Sequence, residues 1–202
     1  MRIPEIIPSK TEEGEMIKSN LNNSLRVACP GIIQAFDIES QTATVRLCIR
    51  ESITNDSGAS QWAEIPPLLD LPILIPRAGG YMMTLPIKAG DECLVVFSDM
   101  CIDGWFMHGG VQNQMEKRRH DLSDGICIPG IWSQPNRVKD YSTTSCQIRN
   151  EEGSSYIELS GDNVNIVAKG SINLSAASVK SNGLDINTHT HTYSGGETSD
   201  PH

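Results

Sequence analysis

The chain has 202 residues, 38% of them hydrophobic and 5% aromatic, and a formal charge of -9 from 16 Lys+Arg against 25 Asp+Glu. With that acidic balance and no long run of either sign it lacks the basic face with which nucleic-acid binders displace counterions, so nucleic acid is excluded as an expected partner. So small a supply of aromatic side chains argues against one large globular core and for a compact domain joined to an elongated one. Neither a signal-peptide core nor a run of membrane-spanning length is visible, so the expectation is a soluble protein made in the cytoplasm. The six cysteines, at 29, 48, 93, 101, 127 and 146, show no Cys-x-x-Cys pairing and sit mostly among apolar neighbours. They are expected to be small core residues rather than metal ligands or redox centres.

Residues 1–24 read as a polar arm in which Ser9-x-x-Glu12 has the form of a capping box and predicts a short helix. From Leu25 the pattern becomes β. Ala43, Val45, Leu47 and Ile49 alternate with Thr44, Arg46, Cys48 and Arg50, the period of two of a half-buried hairpin. The Pro-rich "AEIPPLLDLPILIP" excludes helix and favours short edge strands. Two more strands are expected at 92–98 and 104–108. Four or five short strands in about 90 residues predict a small closed barrel over 25–111, with the OB-fold as the commonest candidate. Residues 112–141 lose the alternation and are expected to form an ordered connector.

Over 142–188 apolar pairs recur as Ile157/Leu159, Val164/Ile166, Ile172/Leu174, Val179 and Leu184/Ile186, separated by polar or Gly-containing corners. That spacing predicts a β-helix of short strands and corners. One chain of this length cannot bury such stripes alone, because each rung offers only one or two apolar side chains. Three copies around an axis would bury them and leave no free sheet edge. The fold class expected is therefore all-β, an N-terminal OB-fold barrel followed by an intertwined trimeric β-helix.

The stretches "GIIQAFDIESQTATVRLCI", "LPIKAGDECLVVFSDMCIDGWFMHG", "RRHDLSDGICIPGI" and the closing "THTHTYSGG", in this order over most of the chain, resemble the central baseplate spike of contractile phage tails and of phage-derived injection machines. The resemblance implies a homotrimer whose N-terminal domain attaches to a hub protein of the baseplate, placing it at the tail tip of the virion after synthesis in the host cytoplasm. It implies that the spike is driven through the host outer membrane by sheath contraction, without catalysis. It also implies a metal-binding tip, residues 189–202, where His189 and His191 of each chain enclose one iron ion on the threefold axis. Two imidazoles per chain give six in a trimer, an octahedral shell rather than the four-coordinate shell of zinc, which leaves iron, cobalt and nickel open on chemistry alone. Strict alternation from Leu184 and Ile186 would turn both histidines outward, so one further corner near Asn187-Thr188 is required.

Two other functions compete at the level of residues. His189, His191 and Glu197 or Asp200 could serve a metallohydrolase, which would need further ligands and a pocket from upstream. The barrel could bind glycans over Trp62, Tyr81, Trp105 and Phe106, a sparse platform. His108 and His120 read as structural, His202 as solvated, and Ser194-Gly195-Gly196 as a point where the chain can reverse.

Overall fold

The computed structural model describes residues 10–55, 58–186, 190 and 192–197. The chain divides into two compact units, Met1–Arg137 and Val138–His202.

The first unit begins with helix α1, Lys10–Ser24, in line with the helix expected of the arm. Strand β1, Ala28–Asp37, turns through Ile38–Gln41 into β2, Thr42–Leu47. The predicted alternation holds: Ala43, Val45 and Leu47 are buried, while Ile49 lies beyond the strand and is exposed. A side hairpin, β3 (Glu51–Thr54) and β4 (Ser60–Ala63), precedes β5, Leu68–Pro72. The two-residue strands β6 (Arg77–Ala78) and β7 (Tyr81–Met82) follow, then β8, Glu92–Phe97. Helix α2, Asp103–His108, and β9, Gly125–Pro129, complete the unit.

Five of these strands form one antiparallel sheet in the order β5-β2-β1-β8-β9. Register shifts in β1 between Ile33 and Ala35, and in the β2–β5 pairing, bend it, because a bulge increases local twist. Its two outer strands approach each other: Ile73 bridges Cys127 in parallel, and the Leu74 N–H donates to the Cys127 carbonyl at 2.9 Å. The sheet therefore curls onto its own core of Ile33, Val45, Val95, Leu71, Cys93 and Cys127. Each fully buried branched side chain there contributes about 1.5–3 kcal/mol. Gly31 leaves room for a side chain of the paired strand β2, since a Cβ at that position would sit 2.5 Å from Val45 Cγ1.

Two expectations are corrected. Residues 104–108 are helical, not a strand. "DGWFMH" has no two-residue alternation, and the chain enters α2 with the Ile102 N–H held by Asp124 Oδ1 at 2.9 Å. The helix ends where the Gly109 N–H reaches Trp105 O with φ +67, a conformation that favours glycine. The stretch read as a connector contributes β9, the fifth strand of the sheet, so the curled sheet extends past residue 111.

In the second unit β10 (Cys146–Arg149), β11 (Tyr156–Ser160) and β12 (Asn163–Val167) make an antiparallel meander. The β11–β12 loop has two residues, with Gly161 at φ +57, as a type II′ hairpin turn requires at its first position. Residues 171–179 form no strand, and β13 (Lys180–Ser181) pairs with β14 (Leu184–Asp185). Beyond them β15, Thr192–Tyr193, pairs with β16, Gly196–Glu197, around Ser194–Gly195. Within this single chain the strands from 146 to 167 are a meander, not successive turns of a β-helix.

Candidate functional site

The meander carries two faces of opposite character, set by the alternation of its three strands. Register places Ile148 opposite Ile157 and Ile157 opposite Ile166, and Cys146 opposite Leu159 and Leu159 opposite Val164. Two rows of three small or branched apolar side chains thus lie side by side on one face. Among the described residues of one chain nothing covers them: Ile148, Ile157, Ile166, Leu159 and Val164 are all exposed, by 47% at the least.

The opposite face is satisfied internally. Glu158 stands between Gln147 and Asn165, and its carboxylate accepts from Ser145 Oγ at 2.6 Å, Gln147 Nε2 at 2.7 Å and Asn165 Nδ2 at 2.9 Å. These donors, Ser145 foremost, hold its carboxyl below the usual range for glutamate. Arg149 ties the sheet to the preceding segment by donating to the carbonyls of Asp140 and Lys139 at 2.8 and 3.0 Å. A folded chain normally hides its apolar face and wets its polar one. Here the polar face is partly buried and the apolar face is open, which marks an interaction surface.

Further along, Ile172, Leu174, Leu184 and Ile186 are exposed as well. His189 and His191, the predicted metal ligands, lie outside the described residues, as do Asp200 and His202. Around them the structure gives β14 before and the β15–β16 hairpin after, with the reversal at Ser194–Gly195.

In the first unit the titratable groups do structural work. His120 Nδ1 lies 2.9 Å from the Arg26 carbonyl and Nε2 lies 3.2 Å from Asp99 Oδ1, which fits the structural role expected of it. Arg118 was not singled out by the sequence. Its guanidinium donates to Asp124 and Asp103, each at 2.7 Å, and to Glu116 at 2.9 Å, and Asp124 is fully buried. Asp124 is the largest influence holding Arg118 still more firmly in its charged form. Cys101, Asp103 and Asp124 come within 4.8 Å of one another, the geometry of a cation site. Arg118 already supplies the positive charge there, so a metal would have to displace it. Partners 15 and 6 residues away in sequence leave no motif by which this knot could have been recognised.

The cysteines divide by position. Cys93 and Cys127 are fully buried, as expected of core residues, whereas Cys48 and Cys146 are exposed. A hydrogen bond with the Cys127 thiol, together with burial, pushes Cys93 far above the usual thiol range, which keeps it unreactive.

The family model of the phage protein Gp138 N-terminal domain matches residues 29–130. Its limits coincide with the curled sheet, from the second residue of β1 to the residue after β9. No curated protein matches the chain. With half of its length covered by that model, the chain belongs to the Gp138 N-terminal-domain family of phage proteins.

Proposed function

We propose that this phage protein is the central spike at the tip of a contractile tail's baseplate, assembled as a homotrimer and driven mechanically through the host outer membrane. The observation that carries the reading is the open apolar face of the meander, two registered rows that a single chain leaves in water. Burying them against identical copies is the closed-symmetry solution, and the free edges of β10 and β12 would pair between copies. In that assembly the rungs from Ile157 to Ile186 become an intertwined β-helix.

The five-strand order, with β5 and β9 meeting in parallel, supports assignment of the first unit as an OB-fold barrel. That barrel would seat the spike on a baseplate hub protein, and the function requires no catalytic residue. At the tip, the donor set of His189 and His191 suits one octahedral ion shared by three chains, iron by the resemblance described above. The ion would pin the three C-termini together where the apolar rungs end.

The decisive experiment measures mass and metal content in one preparation. The reading expects three chains per particle, about one transition metal per three chains, and loss of that metal in the His189→Ala/His191→Ala double variant with the trimer retained. A monodisperse monomer overturns the spike. A trimer whose metal content is unchanged by the double substitution overturns the histidine site alone.

A further inference from the structure

Strand β12 ends the meander and, among the described residues, no strand lies along its outer edge. All of its residues are exposed. Such an edge offers a row of unpaired backbone donors and acceptors, which a protein either blunts or pairs. Nothing in β12 blunts it: "NVNIV" has no proline and no charge, and its register with β11 has no bulge.

Shortly after it lies a segment with the pattern of a strand and none of the pairing. Residues 171–175, "SINLS", run between bends at 169–170 and 176–177 and pair with no strand. Ile172 and Leu174 alternate with Ser171, Asn173 and Ser175, as Val164 and Ile166 alternate with Asn163 and Asn165 in β12. Both are open to solvent, by 53% and 68%. The segment does not fold back on the β12 of its own chain. As the chain leaves β12, the Lys169 N–H donates to Ser155 Oγ at 3.2 Å, beside the start of the middle strand β11, so the exit is held on the inner side and the outer edge stays free.

From the undefended edge and the matching alternation we infer that residues 171–175 of one copy add to the outer edge of β12 in a neighbouring copy, as a fourth strand of its sheet. Setting Ile172 and Leu174 beside Val164 and Ile166 carries both apolar rows one strand further. It also sets Asn173 beside Asn165, whether the strands run parallel or antiparallel. A slip of one residue would turn Ile172 and Leu174 to the polar face, so the pattern fixes the register. This is β-strand addition between copies, in which backbone bonds hold the strand and alternate side chains select it. The inference rests on the assembly of copies proposed above and names what the β12 edge receives in it. Around a threefold axis every chain would give one strand and receive one, so no chain could leave without breaking two sets of backbone bonds, a barrier to dissociation.

Cysteines placed at both positions of the full-length protein, Asn165→Cys with Asn173→Cys, test the pairing, because neighbouring positions on paired strands are close enough to bridge. With oxidised glutathione as the oxidant, the double variant is expected to run at three times the chain mass on a non-reducing denaturing gel, and each single variant as the unsubstituted protein does. A 165–173 disulfide within one chain, or none in a particle that is still a trimer, overturns the strand exchange and leaves the assembly standing. Hydrogen exchange on the unsubstituted protein tests it without any substitution: the amides of residues 171–175 should exchange at least about tenfold more slowly than those of an unstructured chain. Exchange at the unstructured rate in a trimer overturns the exchange of strands alone, and a monomer by light scattering overturns the assembly as well.

Discussion

Ile33 and Ile157 both sit in strands of antiparallel sheets, yet Ile33 is fully buried and Ile157 is 47% exposed. The N-terminal sheet bends at its bulges until β5 meets β9, so its apolar face closes on itself within one chain. The C-terminal meander has three strands and, among the described residues, no second layer over its apolar rows. The first unit can be stable as a monomer. In the assembly proposed above, the second would gain its stabilising burial only from other copies, which would make its stability inseparable from its oligomeric state.

The largest effect that would test this difference is expected from Ile157→Asp, at the centre of the Ile148–Ile157–Ile166 row. If the row is buried between copies, the substitution places a carboxylate from every chain in a dry interior, which costs far more than any contact it replaces. Light scattering should show the assembly reduced to monomers, while the N-terminal unit keeps its circular dichroism. A variant that still assembles with this substitution in every chain would mean that the face is open in the working protein.

Arg118→Ala should break the opposite half. It leaves the fully buried Asp124 without its cation, a loss of about 3–5 kcal/mol for a broken buried pair. Denaturant should unfold the N-terminal unit earlier while the C-terminal assembly persists. Equal sensitivity of both halves would show that they fold as one. A smaller penalty, about 1–3 kcal/mol, is expected for Gly31→Ala, whose Cβ would overpack Val45 Cγ1 and crowd the Arg46 carbonyl at 3.3 Å. The midpoint of the same N-terminal transition measures it, and no shift would mean that β1 yields freely at this position.

Much of this contrast is legible in the residues. Ala43, Val45 and Leu47 announce β2 by alternation, and Ile157/Leu159 with Val164/Ile166 announce two strands sharing an apolar face. Cys146 and Ile148, which complete the rows, are harder to recognise because β10 offers only two apolar positions beside Gln147 and Arg149. β9 is missed because "GICIP" is five residues ending in proline, too short for a period to show, and is identified as a strand only by its pairing with β8. α2 misleads because three bulky apolar residues in a row suit a strand as well as a helix. The tertiary bond from Ile102 N to Asp124, 22 residues away, decides for the helix.

The smallest expected effect concerns acid, and it separates the faces of the meander rather than the two units. Glu158 is held charged by Ser145, Asn165 and Gln147, so its carboxyl titrates below the ordinary glutamate value of about 4.3. A carboxyl depressed on folding adds stability that is present above its unfolded value and fades as pH falls through its folded one. The meander should therefore weaken only below about pH 4, where protonation removes an acceptor that three donors share. Glu158→Gln should remove that dependence, because the amide is never charged and its nitrogen cannot accept. Asn165→Asp sharpens the test from the other side: it replaces a donor to Glu158 by a like charge, which raises the Glu158 pKa toward its unfolded value and so shrinks or reverses the acid weakening. Dissociation of the assembly, followed by light scattering from about pH 6 to about pH 3, distinguishes the three proteins. Coincident curves would show that the polar face contributes nothing to acid stability and that the apolar rows alone hold the copies together.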